Sequence, residues 1–508
     1  MALVAVLFLL AAAMLAPGLV VGPSLDAAVF TDVGGRMLHG VTPYLGAWDH
    51  KPPGIYLAAA MAQGILGWLG PWTADWLLSL LATVGIGVAV ALALARVGVA
   101  AWPRTLASLG ATIMASHYLV ALGGGLTEPP ATAVVAWALV VALRPTRGAS
   151  LTMVGALVGL GILLSVQLLP AGLVVVALAV LQERSARPRR AALAGLGFAA
   201  PLAVAAAWLV ATGAMPAALD AVVTYAAAYR ASGRDFGPAM AGSVAAWTTL
   251  ASLFLFAPAL LGVASGGTLP RPGRSLVVAM VAWLFASLVF FLFQGRFYAH
   301  YAIGLAVPLG ILAGIGFQHV SESLKRVSGP ARRHLLVTPL VATFLMSVGA
   351  GFISGTMQVA LVTDGNTRAQ AVAERLRDLP AGTLLVWGNQ PTVYSDADRA
   401  PATRYSYLYP LTTPEYSTAA QIDGVQRALA EHPPAVIVDA GSPAPGQPGF
   451  PPLLMGRPIA TDGRDLDLLA PLRAFVASRY RLDSIVSGWP IYVLRTPETS
   501  GAAIWTGG

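Results

Sequence analysis

The chain has 508 residues, of which 56% are hydrophobic and only 11% charged, at a mean hydropathy of +0.71; soluble domains carry about a quarter charged residues, so an ordinary water-borne globule is excluded. With no cysteine there are no disulfides, thiolate metal sites or cysteine nucleophiles. The formal charge of +8 is made of +10 in the first 359 residues and −2 in the remainder, which assigns the basicity to membrane loops and argues against a nucleic-acid partner.

Apolar runs at 2–21, 77–95, 105–123, 129–143, 149–165, 167–181, 191–212, 241–265, 276–293, 299–317 and 335–355 each approach the ~20 residues that cross ~30 Å of hydrocarbon. The first run lacks a basic leader and reads as a retained span. Basic loops set the orientation: Arg96 and Arg104; Arg144 and Arg147; Arg184, Arg187, Arg189 and Arg190; Arg271 and Arg274; Lys325, Arg326, Arg332 and Arg333. Placing all of them in the cytoplasm satisfies the positive-inside bias with one alternation. The loops near 22–76, 124–128, 213–240 and 294–298 are then outside. The run 54–70 breaks this alternation if it crosses. It opens at Pro52-Pro53, carries four glycines and Gln63, and has Trp68, Trp72 and Trp76 at its far end, so it reads as a juxtamembrane or re-entrant helix.

The tail changes character. Thr383–Trp387, Ala435–Val438 and Ile491–Leu494 are short runs rich in β-branched residues and read as strands, with helical stretches at 367–378 and 417–431 and a Pro/Gly-rich loop at 441–453. The expected fold is therefore a polytopic α-helical membrane protein of about eleven spans plus juxtamembrane helices. Residues 1–359 form the membrane domain, and 360–508 form an extracytoplasmic α/β domain. The cytoplasmic (inner) membrane is the expected location, with the N-terminus inside.

The first outer loop gathers Asp26, Asp32, Arg36, His39, Asp49, His50 and Lys51 at a membrane surface. Carboxylates there suit deprotonation of a hydroxyl, and cations suit an anionic lipid-linked substrate. Solvated loop charges are the competing reading. Glu128 stands before Pro129-Pro130, favourable to a helix dipole but costly at membrane depth. Arg296, His300 and Tyr301 share a short outer turn, where phosphate binding competes with an interfacial anchor belt. Tyr225, Tyr229, Arg230 and Arg234 suit the acceptor side of a site, with interfacial snorkelling the ordinary reading; Gln167 suits a cavity or, as the ordinary use, a helix–helix hydrogen bond, and Asp75 reads as a surface charge. No convincing metal site is present; Asp49-His50 offers a divalent cation two ligands at best. There is no Walker loop.

The spacing of Asp26, Gly35-Arg36, His39-Gly40, Pro43-Tyr44 and Asp49-His50-Lys51-Pro52-Pro53 resembles the GT-C glycosyltransferase superfamily, in the branch of aminoarabinose transferases and dolichyl-phosphate-mannose protein mannosyltransferase-like proteins. Gly123–Pro130 (GGGLTEPP), Gly295–Pro308 and, in the tail, Val386–Tyr394 and Ala400–Tyr407 fit the same pattern. The resemblance implies a sugar transferred from a polyprenyl-phosphate donor to a lipid-, glycan- or protein-linked acceptor at the outer face, among membrane lipids. It makes Asp26 and then Glu128 the catalytic carboxylates, and places Lys51 at the donor phosphate. Asp49, His50, Arg36, Tyr44, Arg296, His300 and Tyr301 fall to substrate binding. The family often has a second acid after the first; here Ala27 stands in its place. A lipid-linked-sugar flippase or other transporter, and a non-catalytic lipid-glycan binder, are the alternatives, although a transporter's internal repeats are missing.

Overall fold

The computed structural model describes residues 1–144, 148–183, 186–231, 238–326, 330–413, 416–441 and 470–495. Arg147, Arg184, Arg234, the side chains of Arg332 and Arg333, and all but the first residue of the 441–453 loop lie outside the described residues. The chain divides into two compact units, Met1–Asn366 and Thr367–Gly508.

In the first unit the helices are α1 (Ala2–Leu15), α2 (Pro17–Val21), α3 (Leu25–Leu38), α4 (Gly54–Leu66), α5 (Pro71–Arg96), α6 (Ala101–Ser116), α7 (Tyr118–Ala121) and α8 (Glu128–Ala142). They continue with α9 (Gly148–Leu164), α10 (Leu169–Leu181), α11 (Arg187–Ala211), α12 (Met215–Leu219), α13 (Ala226–Ala231), α14 (Pro238–Ser265), α15 (Arg271–Gln294) and α16 (Ala306–Arg326). The long α17 (Pro330–Arg377) contains the division between the units.

Among the described residues seven helical segments are long and apolar enough to cross a membrane: Ala2–Val21, Pro71–Arg96, Arg187–Ala211, Met240–Thr268, Arg271–Gln294, Ala299–Arg326 and Val337–Leu361. Only 11% of the best window of Val337–Leu361 is buried inside the protein, so its apolar surface needs lipid rather than water. This is a multi-pass membrane protein. The runs 129–143, 149–165 and 167–181 form shorter helices of 15, 17 and 13 residues.

The expectation of one span over 105–123 is corrected. Helix α6 stops at Ser116, because His117 turns to extended backbone (φ −60°, ψ 127°) and its imidazole accepts the Leu119 N–H as the cap of α7. Gly123, Gly124 and Gly125, all at positive φ, then prevent the helix from resuming before Glu128.

Helix α5 is the centre of the unit's core, packed on α1, α6, α8 and α16. Elsewhere helices approach backbone to backbone through small residues, as lipid-embedded helices do. A Cβ on Gly155 would strike the Ala194 carbonyl across the α9–α11 contact, and one on Gly316 the Pro258 carbonyl between α16 and α14. Gln167 and Gln294 exchange side-chain hydrogen bonds at 2.5 Å, the interhelical use expected of Gln167.

Helix α4 is 13 residues, about 20 Å at 1.5 Å per residue and too short for ~30 Å of hydrocarbon. It packs on α3 and α5. We expect α4 not to cross. In this cysteine-free chain, Leu45→Cys and Trp68→Cys, both at exposed positions on either side of α4, should react with an impermeant thiol reagent from the same side. Labelling from opposite sides would make α4 a span.

The second unit holds a sheet of β1 (Leu384–Trp387), β2 (Val436–Asp439), β3 (Tyr480–Val486) and β4 (Trp489–Leu494) in the order β1-β2-β4-β3. β1 and β2 are parallel, and the other pairs antiparallel. One face (Leu384, Val386, Val436, Val438, Ile491, Val493) forms a core with Ala369, Val372 and Leu376 of α17. α18 (Thr392–Asp396) and α19 (Ala419–Glu431) follow β1, and α20 (Ala470–Arg479) precedes β3. A Thr418/Gln421 capping box starts α19. Strand β3 was not among the expected strands. Its residues YRLDSIV are half polar, yet Ser487 and Gly488, both at positive φ, form the tight turn that pairs it with β4.

Candidate active site

Asp26 is placed by a helix start. Ser24 caps α3 by accepting the Ala27 N–H at 3.4 Å, so Asp26 falls in the first turn, where the helix dipole favours a carboxylate. It is half-buried, and among the described residues its carboxylate has no hydrogen-bond partner. The next residues, Ala27, Ala28, Val29 and Phe30, are buried.

After α3 the chain forms a compact loop held by its own polar groups. Arg36 donates to the Gly46 carbonyl and pairs with Asp32 at 3.6 Å. His39, at the exposed end of α3, bonds the Gly35 carbonyl. Tyr44, at φ 68° and fully buried, donates from its hydroxyl to the Lys51 carbonyl at 2.8 Å. Burial, and then the charge of Asp49, pushes the Tyr44 phenol up and keeps it a donor. Tyr56 donates to Asp49 Oδ2 at 2.7 Å and accepts the Lys51 N–H at 3.0 Å, while His50 Nδ1 meets Asp49 Oδ1 at 3.1 Å. Arg36, Tyr44 and Asp49 thus shape the loop that presents Lys51, instead of lying open to a ligand. Tyr56, within the Pro52-Pro53-Gly54-Ile55-Tyr56 run, escaped the sequence reading.

Lys51 is half-buried, and among the described residues its ammonium forms no ion pair. Burial alone would lower its pKa. The negative field of Tyr301 (when ionised), Asp26, Glu128 and Asp49 outweighs that and raises it above the ordinary lysine range. Asp26, Glu128 and Tyr301 belong to three segments other than the Lys51 loop, and all three act on this one ammonium. Glu128 opens α8, is almost fully buried, and accepts from Thr127 Oγ1 at 2.9 Å. The turn of 3₁₀ helix Ala299–Leu305, carrying His300 and Tyr301, packs against α7 and α8.

Snorkelling is corrected for two residues. Tyr225 is fully buried at the end of a π-helical segment, Asp220–Tyr225, and stacks on Tyr229 at 5.5 Å. Trp48 meets Tyr225 at 4.9 Å, and His50 lies 5.2 Å from Tyr225 and 5.6 Å from Tyr229. The Tyr229 hydroxyl bonds that of Tyr298, which stacks on His300, which meets Tyr301 edge-on at 4.7 Å. Arg296 lies 3.5 Å over the Tyr229 ring and donates twice to the Tyr229 carbonyl. One chain of rings therefore ties the loop between α3 and α4 to Tyr225 and Tyr229 and to the 296–301 turn. Periodicity cannot show this, because the rings belong to segments far apart in sequence. Arg230 stacks on Phe293.

Asp75 is likewise not a surface charge. It is 5% exposed, accepting from Thr31 Oγ1 at 2.7 Å and Gln63 Nε2 at 3.0 Å. For a divalent cation the fit is poor: both Asp49 oxygens already have partners, and among the described residues no three His, Asp or Glu side chains group as ligands.

No family model and no curated relative matches the chain. Among solved structures it is similar to ArnT from Cupriavidus metallidurans in the apo state, at 16% identity and TM-score 0.57 over 93% of each chain. It is also similar to the same protein bound to undecaprenyl phosphate, at 16% identity and TM-score 0.56 over 96% of this chain and 97% of that one. Over nearly its whole length the chain therefore shares the fold of ArnT.

Proposed function

We propose that the protein is a glycosyltransferase, moving a sugar from a polyprenyl-phosphate donor to an acceptor hydroxyl at the outer face of the cytoplasmic membrane. The observation that carries this is Lys51, whose ammonium forms no ion pair among the described residues and lies in the negative field of Asp26, Glu128 and Asp49. A cation and a carboxylate that acts on it, each half-buried and without a side-chain partner among the described residues, suit a reaction that releases a phosphate anion and takes up a proton. Asp26 takes the acceptor's hydroxyl proton as its oxygen bonds the anomeric carbon. The bond from that carbon to the phosphate oxygen breaks, its electron pair leaves with the polyprenyl phosphate, and Lys51 stabilises the departing anion. Glu128 is the second carboxylate, set deeper. The fold shared with the undecaprenyl-phosphate-bound ArnT supports a prenyl-linked donor.

The purified protein, given a panel of polyprenyl-phosphate sugars with glycan, lipid and peptide acceptors, should release polyprenyl phosphate and glycosylate one acceptor class. Binding of these donors without any release would favour the non-catalytic or transport reading.

A further inference from the structure

We propose that the first three turns of α5 are a brace that sets the distance between the two carboxylate-bearing segments, with Trp72, Ser79 and Gly125 as positioning residues. Trp72, Asp75, Trp76 and Ser79 follow the i, i+3, i+4, i+7 pattern and so share one face of α5. Each engages another part of the outer surface. Trp72 Nε1 donates to the Gly18 carbonyl at 3.0 Å, and Trp76 Nε1 to the Leu15 carbonyl at 3.1 Å, at the end of the first span. Asp75 accepts from Thr31 of α3 and Gln63 of α4. Ser79 Oγ accepts the Gly125 N–H at 2.8 Å, in the turn that leads to Glu128.

The two segments meet at one point on this brace. A Cβ built on Gly125 would lie 2.5 Å from Trp72 Cζ3 and 2.6 Å from the Cβ of Ala27, and Gly125 has φ +78°. Ala27 follows Asp26, and Gly125 precedes Glu128 by three residues. Only a glycine lets these backbones close to this distance. Gly18 and Gly123 touch backbone to backbone beside this contact, so any added bulk pushes the Asp26 and Glu128 segments apart.

Turnover is the readout that rests on the glycosyltransferase reading; the distance measurement does not. Gly125→Ala should cut kcat by up to about 10²-fold, the cost of roughly 1 Å of misplacement, with donor KM within about twofold because Lys51 is not moved. Ser79→Ala, which leaves a buried N–H without its acceptor, should act in the same direction to a smaller extent. Spin labels on Leu38→Cys and Leu122→Cys, both exposed positions in a cysteine-free chain, should give a single separation that shifts or broadens in both variants. If Gly125→Ala fails to fold, Ser79→Ala decides. Unchanged kcat and an unchanged distance distribution in Ser79→Ala would overturn the brace. A distance change in a protein whose wild type transfers no sugar would uphold the brace and refute the transferase reading.

Discussion

Asp26→Asn should lower the transfer rate by about 10²–10⁴-fold, the usual contribution of a general base, while donor binding stays near wild type. The substitution keeps the size of the side chain and removes its ability to take a proton, together with one of the negative charges that act on Lys51. No protein hydrogen bond is lost with the charge, because among the described residues the Asp26 carboxylate has no partner, so misfolding is not a competing explanation. Glu128→Gln should fall less far: Glu128 is buried against Thr127, with less access to an acceptor than half-buried Asp26. Single-turnover rates, with donor affinity measured separately, distinguish the two. A wild-type rate in Asp26→Asn, with a deep loss in Glu128→Gln, would exchange their roles.

Lys51→Ala should lower kcat/KM by about 10²–10³-fold, the scale for removing one preorganised charge from a developing anion. It should also weaken polyprenyl-phosphate binding. The pH dependence carries a sign. Lys51 titrates above the ordinary lysine range, so its charge is complete below about pH 10 and is lost only above that. Donor affinity of the wild type should therefore be flat from about pH 7 to pH 10. A lysine in an apolar pocket without the carboxylates would instead lose its charge on the way up. A decline in affinity beginning near pH 8 would show that the phosphate is held by something other than Lys51.

Much of the molecule was legible from residue order. Span lengths and basic loops are local quantities, set by ~30 Å of hydrocarbon and by charge, so a membrane helix bundle with a separate α/β tail could be read directly. Asp26 and Lys51 were singled out among the loop charges by the resemblance of the motifs that carry them, and Glu128 also because an acid at membrane depth is costly. Contacts between distant segments were not readable. Tyr225 and Tyr229 read as interfacial aromatics because their partners, Trp48, His50, Arg296 and Tyr298, lie far away along the chain. Asp75 read as exposed because its acceptor role depends on Thr31 and Gln63 arriving from two other helices. Arg36 and Tyr44 read as ligand contacts, yet the loop's own carbonyls take them. The break at His117 and the strand Tyr480–Val486 depend on a cap and on a neighbouring strand, neither of which shows in hydrophobic pattern. By itself the sequence determined which side chains bear charge, because composition and spacing are enough for that. Only the tertiary structure decided which charges remain free to act, because that depends on which of them the fold supplies with partners.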